Sequence, residues 1–337
     1  MIPGSGLIED MWEIRPRIWA IDVWIKASII GIAVGPRLGT YISSSAWHWP
    51  WVFYLGAILL TVVCVLFLWT RESRPNVVMP RQIAAAQKLT GFDGLVCDTS
   101  DAIPTFNTFA TTMLIRPVCF FFTEPVVFTV SVLSATVFAS IYLLTDGLPV
   151  TYEEFGYTER QSSLVFLAWV VGLTLTLPLR ILDWRILSRH IQRQRIVITE
   201  DKITGFYVAA PVLAGALWWW AWTVPPYASD LSPFVSLGSL VLVEACLNEF
   251  DGILQGYLTD AYTMYAASAN APLAFLRGLL SGSFPIFGRQ MFQGLGSNVS
   301  GSILASIASI FCFTALWFCQ NNKGIRESSS YATHYKQ

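Results

Sequence analysis

The chain alternates long apolar runs with short polar stretches, and eight of the runs are long enough to cross a bilayer as helices. A hydrocarbon core of about 30 Å takes about 20 apolar residues in helical form. Ile18–Ile42, Trp51–Trp69, Val118–Leu144, Ser162–Leu182, Ile203–Val224, Pro233–Leu258, Ala266–Phe287 and Val299–Cys319 meet that demand. Trp47, Trp49 and Trp51 flank the first turn, and Trp218, Trp219, Trp220 and Trp222 close the fifth run, as aromatic belts do at a membrane interface. Between the second and third runs lies a polar region. Its middle, Pro80–Leu89, carries helix formers with Arg81 and Lys88 and is expected to lie along the membrane surface.

Composition agrees with lipid as the solvent. Hydrophobic residues make up 54% of the chain, charged residues 13%, and the mean hydropathy is +0.53. A soluble domain carries about 25% charge. The net charge of −1 excludes a basic nucleic-acid binder. Met1–Glu13 is polar and acidic, so no cleavable signal peptide is expected there. Cys64, Cys97, Cys119, Cys246, Cys312 and Cys319 have neither metal-ligand spacing nor a disulfide framework, so they read as small core residues. His48, His190 and His334 fall in loops or the tail. No nucleophilic triad, zinc motif or phosphate loop is present, so no catalytic residue, cofactor or metal is expected.

Orientation follows from the positive charges. With the first residues on the cytosolic side and eight alternating spans, sixteen Lys and Arg fall on the cytosolic side and two, Arg160 and Arg289, outside. Both termini of the chain are then cytosolic. The remaining three cations, Lys26, Arg37 and Arg277, lie within spans.

Two patterns stand out inside the spans. Gly31, Gly35 and Gly39 recur every four residues and stack on one helix face, where another helix can approach backbone to backbone. Pro36 removes a backbone donor beside them, so a bend is expected there. Gly278 and Gly282 repeat the spacing in the seventh span. In the sixth span Glu244, Asn248, Asp251, Gln255 and Thr259 follow at i, i+4, i+7, i+11 and i+15, which places them on one face. An acid at the centre of a membrane helix costs about 2.5–3.5 kcal/mol on insertion scales, so two on one face need a purpose or a partner. A proton- or substrate-handling role, structural pairing with Arg37 or Arg277, exposure to a water-filled vestibule, residues that merely flank a shorter span, and relaxed constraint all remain open. Arg116 and Glu124, at the start of the third span, are too far apart along a helix to pair, so each is expected to find another partner in a structural or gating role.

The string Gly31-xxx-Gly35-Pro36-xx-Gly39 resembles the fifth-helix "antiporter" motif of the major facilitator superfamily, with Thr40 in place of the last glycine. "RPVCFFFTEP", "DAYTMYAASANA", "FPIFGRQMFQGLG" and "GIRESSSYA" follow in the order of the fungal drug:proton antiporter-1 group. The resemblance implies an all-α integral membrane protein with a partial major facilitator fold. It would comprise about eight transmembrane helices, with the family's first four absent and its C-terminal six-helix half complete. Residues 1–69 would be a remnant of the N-terminal half, 70–117 a cytoplasmic central loop, 118–319 the six-helix bundle and 320–337 a cytoplasmic tail. It implies proton-coupled efflux of small molecules from a plasma membrane, or a vacuolar one, with Glu244, Asn248, Asp251 and Gln255 on the family's cavity-lining tenth helix. Its alternative is a membrane fragment that does not transport alone. The resemblance implies small molecules, protons and lipid as partners, and neither nucleic acid nor metal.

Overall fold

A computed structural model describes residues 11–12, 14–45, 48–69, 75–91, 110–178, 204–228, 230–262 and 265–328, together with residues 180, 181, 184, 185 and 188. The basic positions Arg189, Arg193, Arg195 and Lys202, most of the central loop after Gly91, and the last nine residues lie outside the described set.

The helices are α1 (Ile14–Ser43), α2 (Pro50–Leu68), α3 (Pro75–Thr90), α4 (Arg116–Thr123), α5 (Pro125–Glu154), α6 (Leu167–Leu175), α7 (Thr204–Trp222), α8 (Pro233–Ala261), α9 (Ala266–Leu295) and α10 (Ser297–Ser328). A π-helical turn, Thr111–Ile115, leads into α4, and two short turns, Glu159–Ser162 and Ser163–Phe166, lead into α6. Proline starts several helices, since the first helical turn needs no N–H from it. The same chemistry separates α4 from α5. Glu124 precedes Pro125, and steric crowding by the proline ring pushes it to φ −105°, ψ 106°, out of the helical region.

Trp19–Ser43, Pro50–Leu68, Pro125–Glu154, Pro233–Thr259 and Ser297–Ala315 are long and apolar enough to cross a membrane. The other three expected spans are helical as well. Of these, α6 is short, α7 is heavy in tryptophan, and α9 contains Pro272, Arg277 and Pro285. The last helix runs on past the expected Cys319 to Ser328.

By contact the chain falls into two compact units, Met1–Tyr41 with Thr112–Gln337 and, separately, Ile42–Thr111. The resemblance groups α1 with α2 as a remnant of the N-terminal half; by contact α1 falls with the later helices. The smaller unit holds α2 and α3, and no residue of α2 is buried. Its nineteen-residue apolar surface is what a lipid-facing span presents.

In the larger unit, α5 packs most extensively against α9, and α7 against α8 and α10, with α8 also touching α5, α6 and α9. Aromatic pairs join the helices: Phe206–Phe250 at 4.9 Å between α7 and α8, Phe250–Phe311 at 5.8 Å to α10, and Trp220–Phe292 at 6.3 Å between α7 and α9. Such pairs are worth about 0.5–1.5 kcal/mol each beyond their burial. Polar pins add to them. Asn298 donates to the carbonyls of Ala221 (2.6 Å) and Val224 (3.1 Å), and the Tyr152 and Ser236 hydroxyls share a 2.7 Å bond.

Close approach in this bundle comes from glycines other than those the spacing singled out. A Cβ on Gly172 of α6 would lie 2.6 Å from the Val241 carbonyl oxygen of α8 and 3.0 Å from the Glu244 Cβ. A Cβ on Gly147 of α5 would overlap the Phe292 ring. By contrast, a Cβ on Gly31, Gly35, Gly39, Gly278 or Gly282 would meet nothing within 4 Å. The packing role expected for these five is therefore not realised among the described residues. For α1 the reason is rotational. Asp22, Lys26, Ile29, Ala33 and Arg37 form the stripe turned to the bundle, Asp22, Ile29 and Ala33 being buried. At about 100° per residue the glycines lie on the opposite side. Pro36 sits within the continuous helix. The cysteines also divide differently from the expectation: Cys246 is buried and Cys312 half-buried, but Cys64 and Cys119 are exposed.

Gly172→Ala is expected to lower the thermal midpoint of the detergent-solubilised protein, because a backbone oxygen cannot move aside as a side chain could. Overpacking of this kind costs about 1–3 kcal/mol. Gly278→Ala and Gly282→Ala, measured in parallel, are expected to leave the midpoint unchanged.

Candidate functional site

The polar face of α8 is set by how its apolar face packs. Phe250 meets Phe206, and Ile253 fills the space above Gly205, so that side of α8 is committed to α7. Glu244 lies about half a helical turn from Ile253, and Asn248 and Asp251 follow it at i+4 and i+7. All three are buried, at 0%, 6% and 3% exposure, while Gln255 and Thr259 further along are half-buried. Asn270 of α9 donates to the Thr259 hydroxyl at 3.1 Å.

The two central acids have unlike surroundings. Asp251 is ion-paired with Arg277 of α9. The same guanidinium donates to Ser134 at 2.7 Å and stacks 3.8 Å from the Phe138 ring centre, both on α5. A guanidinium can bond in its plane and stack on its face at once, and here it ties three helices together around a neutral pair. Glu244 has no such partner among the described residues: neither of its carboxylate oxygens has a hydrogen bond to them. Its Cβ faces Gly172 of α6, and the Oδ1 of Asn248, one turn on, is also without a partner. A small cavity inside the bundle lies elsewhere, lined by Ser140, Leu217, Phe311 and their neighbours, with Val243 and Leu247 as the contribution of α8.

A second ionic cluster was not visible in the helical spacing. Glu249, 7% exposed, is ion-paired with Arg180. The Arg180 Nε is 3.9 Å from the Asp22 carboxylate of α1, and Asp22 in turn pairs with Lys26 one turn along at 2.5 Å. Glu249 sits roughly 140° around α8 from Glu244, off the stripe. Arg180 falls at the end of the expected fourth span, among the sixteen cations counted on the cytosolic side. The available signal was the pair Asp22 and Lys26 at i, i+4 within an apolar run, which marks a helix whose charges are compensated.

The remaining charges are placed as follows. Arg37 donates to the Arg160 carbonyl at 2.5 Å and to the Ser163 hydroxyl at 2.9 Å, so α1 is held to the bundle near both its ends. Glu124 accepts a 2.9 Å bond from the Tyr262 hydroxyl, and Arg116 lies 5.4 Å over the Tyr265 ring. The two contacts join the two ends of α4 to the turn between α8 and α9. Among the described residues no His, Cys, Asp and Glu side chains converge as metal ligands.

The family model for the Major Facilitator Superfamily matches residues 1–199. The chain belongs to that superfamily. It is thus an integral, multi-pass membrane protein with a partial major facilitator fold. Among curated proteins it is 25% identical to "Multidrug transporter TPO1_2" of Candida glabrata, over 96% of this chain and 56% of the relative. It is 29% identical to "Efflux pump radE" of Floropilus chiversii, over 94% and 59%, and 28% identical to "Efflux pump vrtL" of Penicillium aethiopicum, over 98% and 65%. The chain thus spans roughly three-fifths of the length of these relatives. Helices α1 to α6 of this chain lie inside the matched region, and the acids of α8 lie beyond it.

Proposed function

We propose that this chain serves secondary active efflux of small molecules coupled to proton movement, with Glu244 as the proton-carrying group. The observation that carries the reading is the contrast among five buried acids. Asp22, Glu249 and Asp251 each have a cation and Glu124 a tyrosine hydroxyl, whereas Glu244 is fully enclosed with no hydrogen bond to either oxygen among the described residues. An ionised carboxylate left without partners in a low-dielectric interior is costly, so evolution keeps such a group where its charge is meant to come and go. The names of the relatives support efflux, and the cation asymmetry of the loops supports cytosolic ends. Plasma membrane is favoured over vacuole on the resemblance alone. Asn248 and Gln255 would offer hydrogen bonds to substrate along the same face, and Asp251 with Arg277 would hold that face in place.

The test is export of a lipophilic cation from vesicles containing the purified chain. An imposed proton gradient is expected to drive it and a protonophore to stop it. Export that persists without a gradient would contradict the coupling.

The open glycine face of α1 favours a second reading, in which the 337 residues transport only in company with further membrane helices. Export that appears solely when an N-terminal half of a relative is co-reconstituted would select it.

A further inference from the structure

We infer that Asn248 holds the proton-loaded form of Glu244, its Oδ1 accepting the carboxyl O–H. The inference rests on the reading of Glu244 as the proton carrier and names the side chain that positions the proton there. Both carboxylate oxygens of Glu244 and the Oδ1 of Asn248 are buried, and none of the three has a hydrogen bond to a described residue. Buried polar atoms are paired in the great majority of cases, so three acceptors one turn apart need a donor. A single proton supplies it. Placed on a Glu244 oxygen, it turns an acceptor into an O–H donor, and one O–H···Oδ1 bond then serves both residues. Only the Glu244 O–H is made and broken in the cycle; the Asn248 amide keeps its own hydrogens throughout.

The surroundings of Glu244 single out Asn248. Opposite the Glu244 Cβ, α6 presents Gly172, which has no side chain to offer. On α8 itself the positions one turn away are Leu240, Val241, Leu247 and Asn248, and only the last is polar. Residues at i and i+4 stand about 5–6 Å apart at Cβ, within reach of a carboxyl on two methylenes and an amide on one. The charged groups further along α8 are committed, Asp251 to Arg277 and Glu249 to Arg180. Asn270 and Asn298 also carry an Oδ1 without a partner, but neither has a carboxyl group one turn away. Their amide nitrogens donate instead, Asn270 to Thr259 and the Ala266 carbonyl, Asn298 to the Ala221 and Val224 carbonyls. While the proton is on Glu244, the Asn248 Oδ1 is taken; once it leaves, that oxygen is open to a donor on the substrate.

The experiment records infrared difference spectra of the full chain in lipid nanodiscs between acidic and alkaline buffer. A carboxylic acid absorbs apart from carboxylates and amides, and the part of that band which Glu244→Gln removes belongs to Glu244. Taking the acceptor away from the acid's O–H raises its carbonyl stretch. Asn248→Leu is therefore expected to move the Glu244 band to higher frequency, and Asn248→Gln, which restores an amide oxygen, to bring it back toward its original place. Asn248→Ala also lacks the acceptor and is read in parallel, so that one poorly folding variant does not decide the outcome. A Glu244 band that stays in place in both the Leu and Ala variants would overturn the proposal, whatever happens to the thermal midpoint. If Glu244→Gln removed no acid band at any pH, the proton-carrying reading itself would fall. A thermal midpoint that rises in sodium chloride over choline chloride, and no longer does so in Asn248→Leu, would assign the three oxygens to an alkali cation and overturn the proposal.

Discussion

Arg277→Gln is expected to remove most of the folded protein. The substitution deletes the guanidinium that Asp251, Ser134 and Phe138 share, and leaves a carboxylate enclosed at 3% exposure without its counter-charge. Breaking a buried ion pair from one side costs about 3–5 kcal/mol, against a whole-protein stability of about 5–15 kcal/mol. Asp251→Asn strands the opposite charge and is expected to behave alike. The double variant Asp251→Asn/Arg277→Gln leaves no orphaned charge and is expected to recover most of the loss. Monodisperse protein by size exclusion and the thermal midpoint in detergent are the measurements. If the double variant were no better than either single one, the pair would not be what holds α5, α8 and α9 together.

The second large effect is of the opposite kind. Glu244→Gln keeps the shape of the side chain and removes no hydrogen bond, because the carboxylate makes none among the described residues. Abundance and thermal midpoint are therefore expected to stay level or rise. Proton-driven export is expected to vanish, since the amide cannot alternate between a charged and a neutral form. The separation between the two variants is the informative result: one loses protein, the other loses coupling. Export by Glu244→Gln at wild-type rate would remove Glu244 from the proton path. A collapse in its abundance would reveal a structural contact that the fold does not display.

Five of the eight expected spans were legible by apolar length alone, because lipid imposes that rule on a span, whereas α6, α7 and α9 depart from it. The buried stripe of α8 was legible for a similar reason: Glu244, Asn248 and Asp251 repeat with the helical period. What the sequence withheld was azimuth and partnership. Gly31, Gly35 and Gly39 offered one packing face of α1, and Asp22, Lys26 and Arg37 another. Nothing local to α1 decides between them. The choice rests on Arg160, Ser163 and Arg180, which lie far along the chain. The same holds for Asp251, whose environment is fixed by one residue on α9 and two on α5, and for Glu244, whose isolation can be recognised only once every neighbour is in place.

The attachment of α1 carries a consequence for how the protein is made. Arg37 finds its acceptor 123 residues later in the chain, and ribosomes add about 5–20 residues per second. For about 6–25 s after synthesis, α1 must therefore wait beside the translocation machinery with that charge unserved. Asp22 and Lys26, one turn apart, neutralise each other from the start and need no such delay. The helix is thus born half-compensated, and its seating is deferred until the later spans emerge. A nascent chain arrested before Arg160 is expected to be a preferred client of the cell's membrane-insertion chaperones.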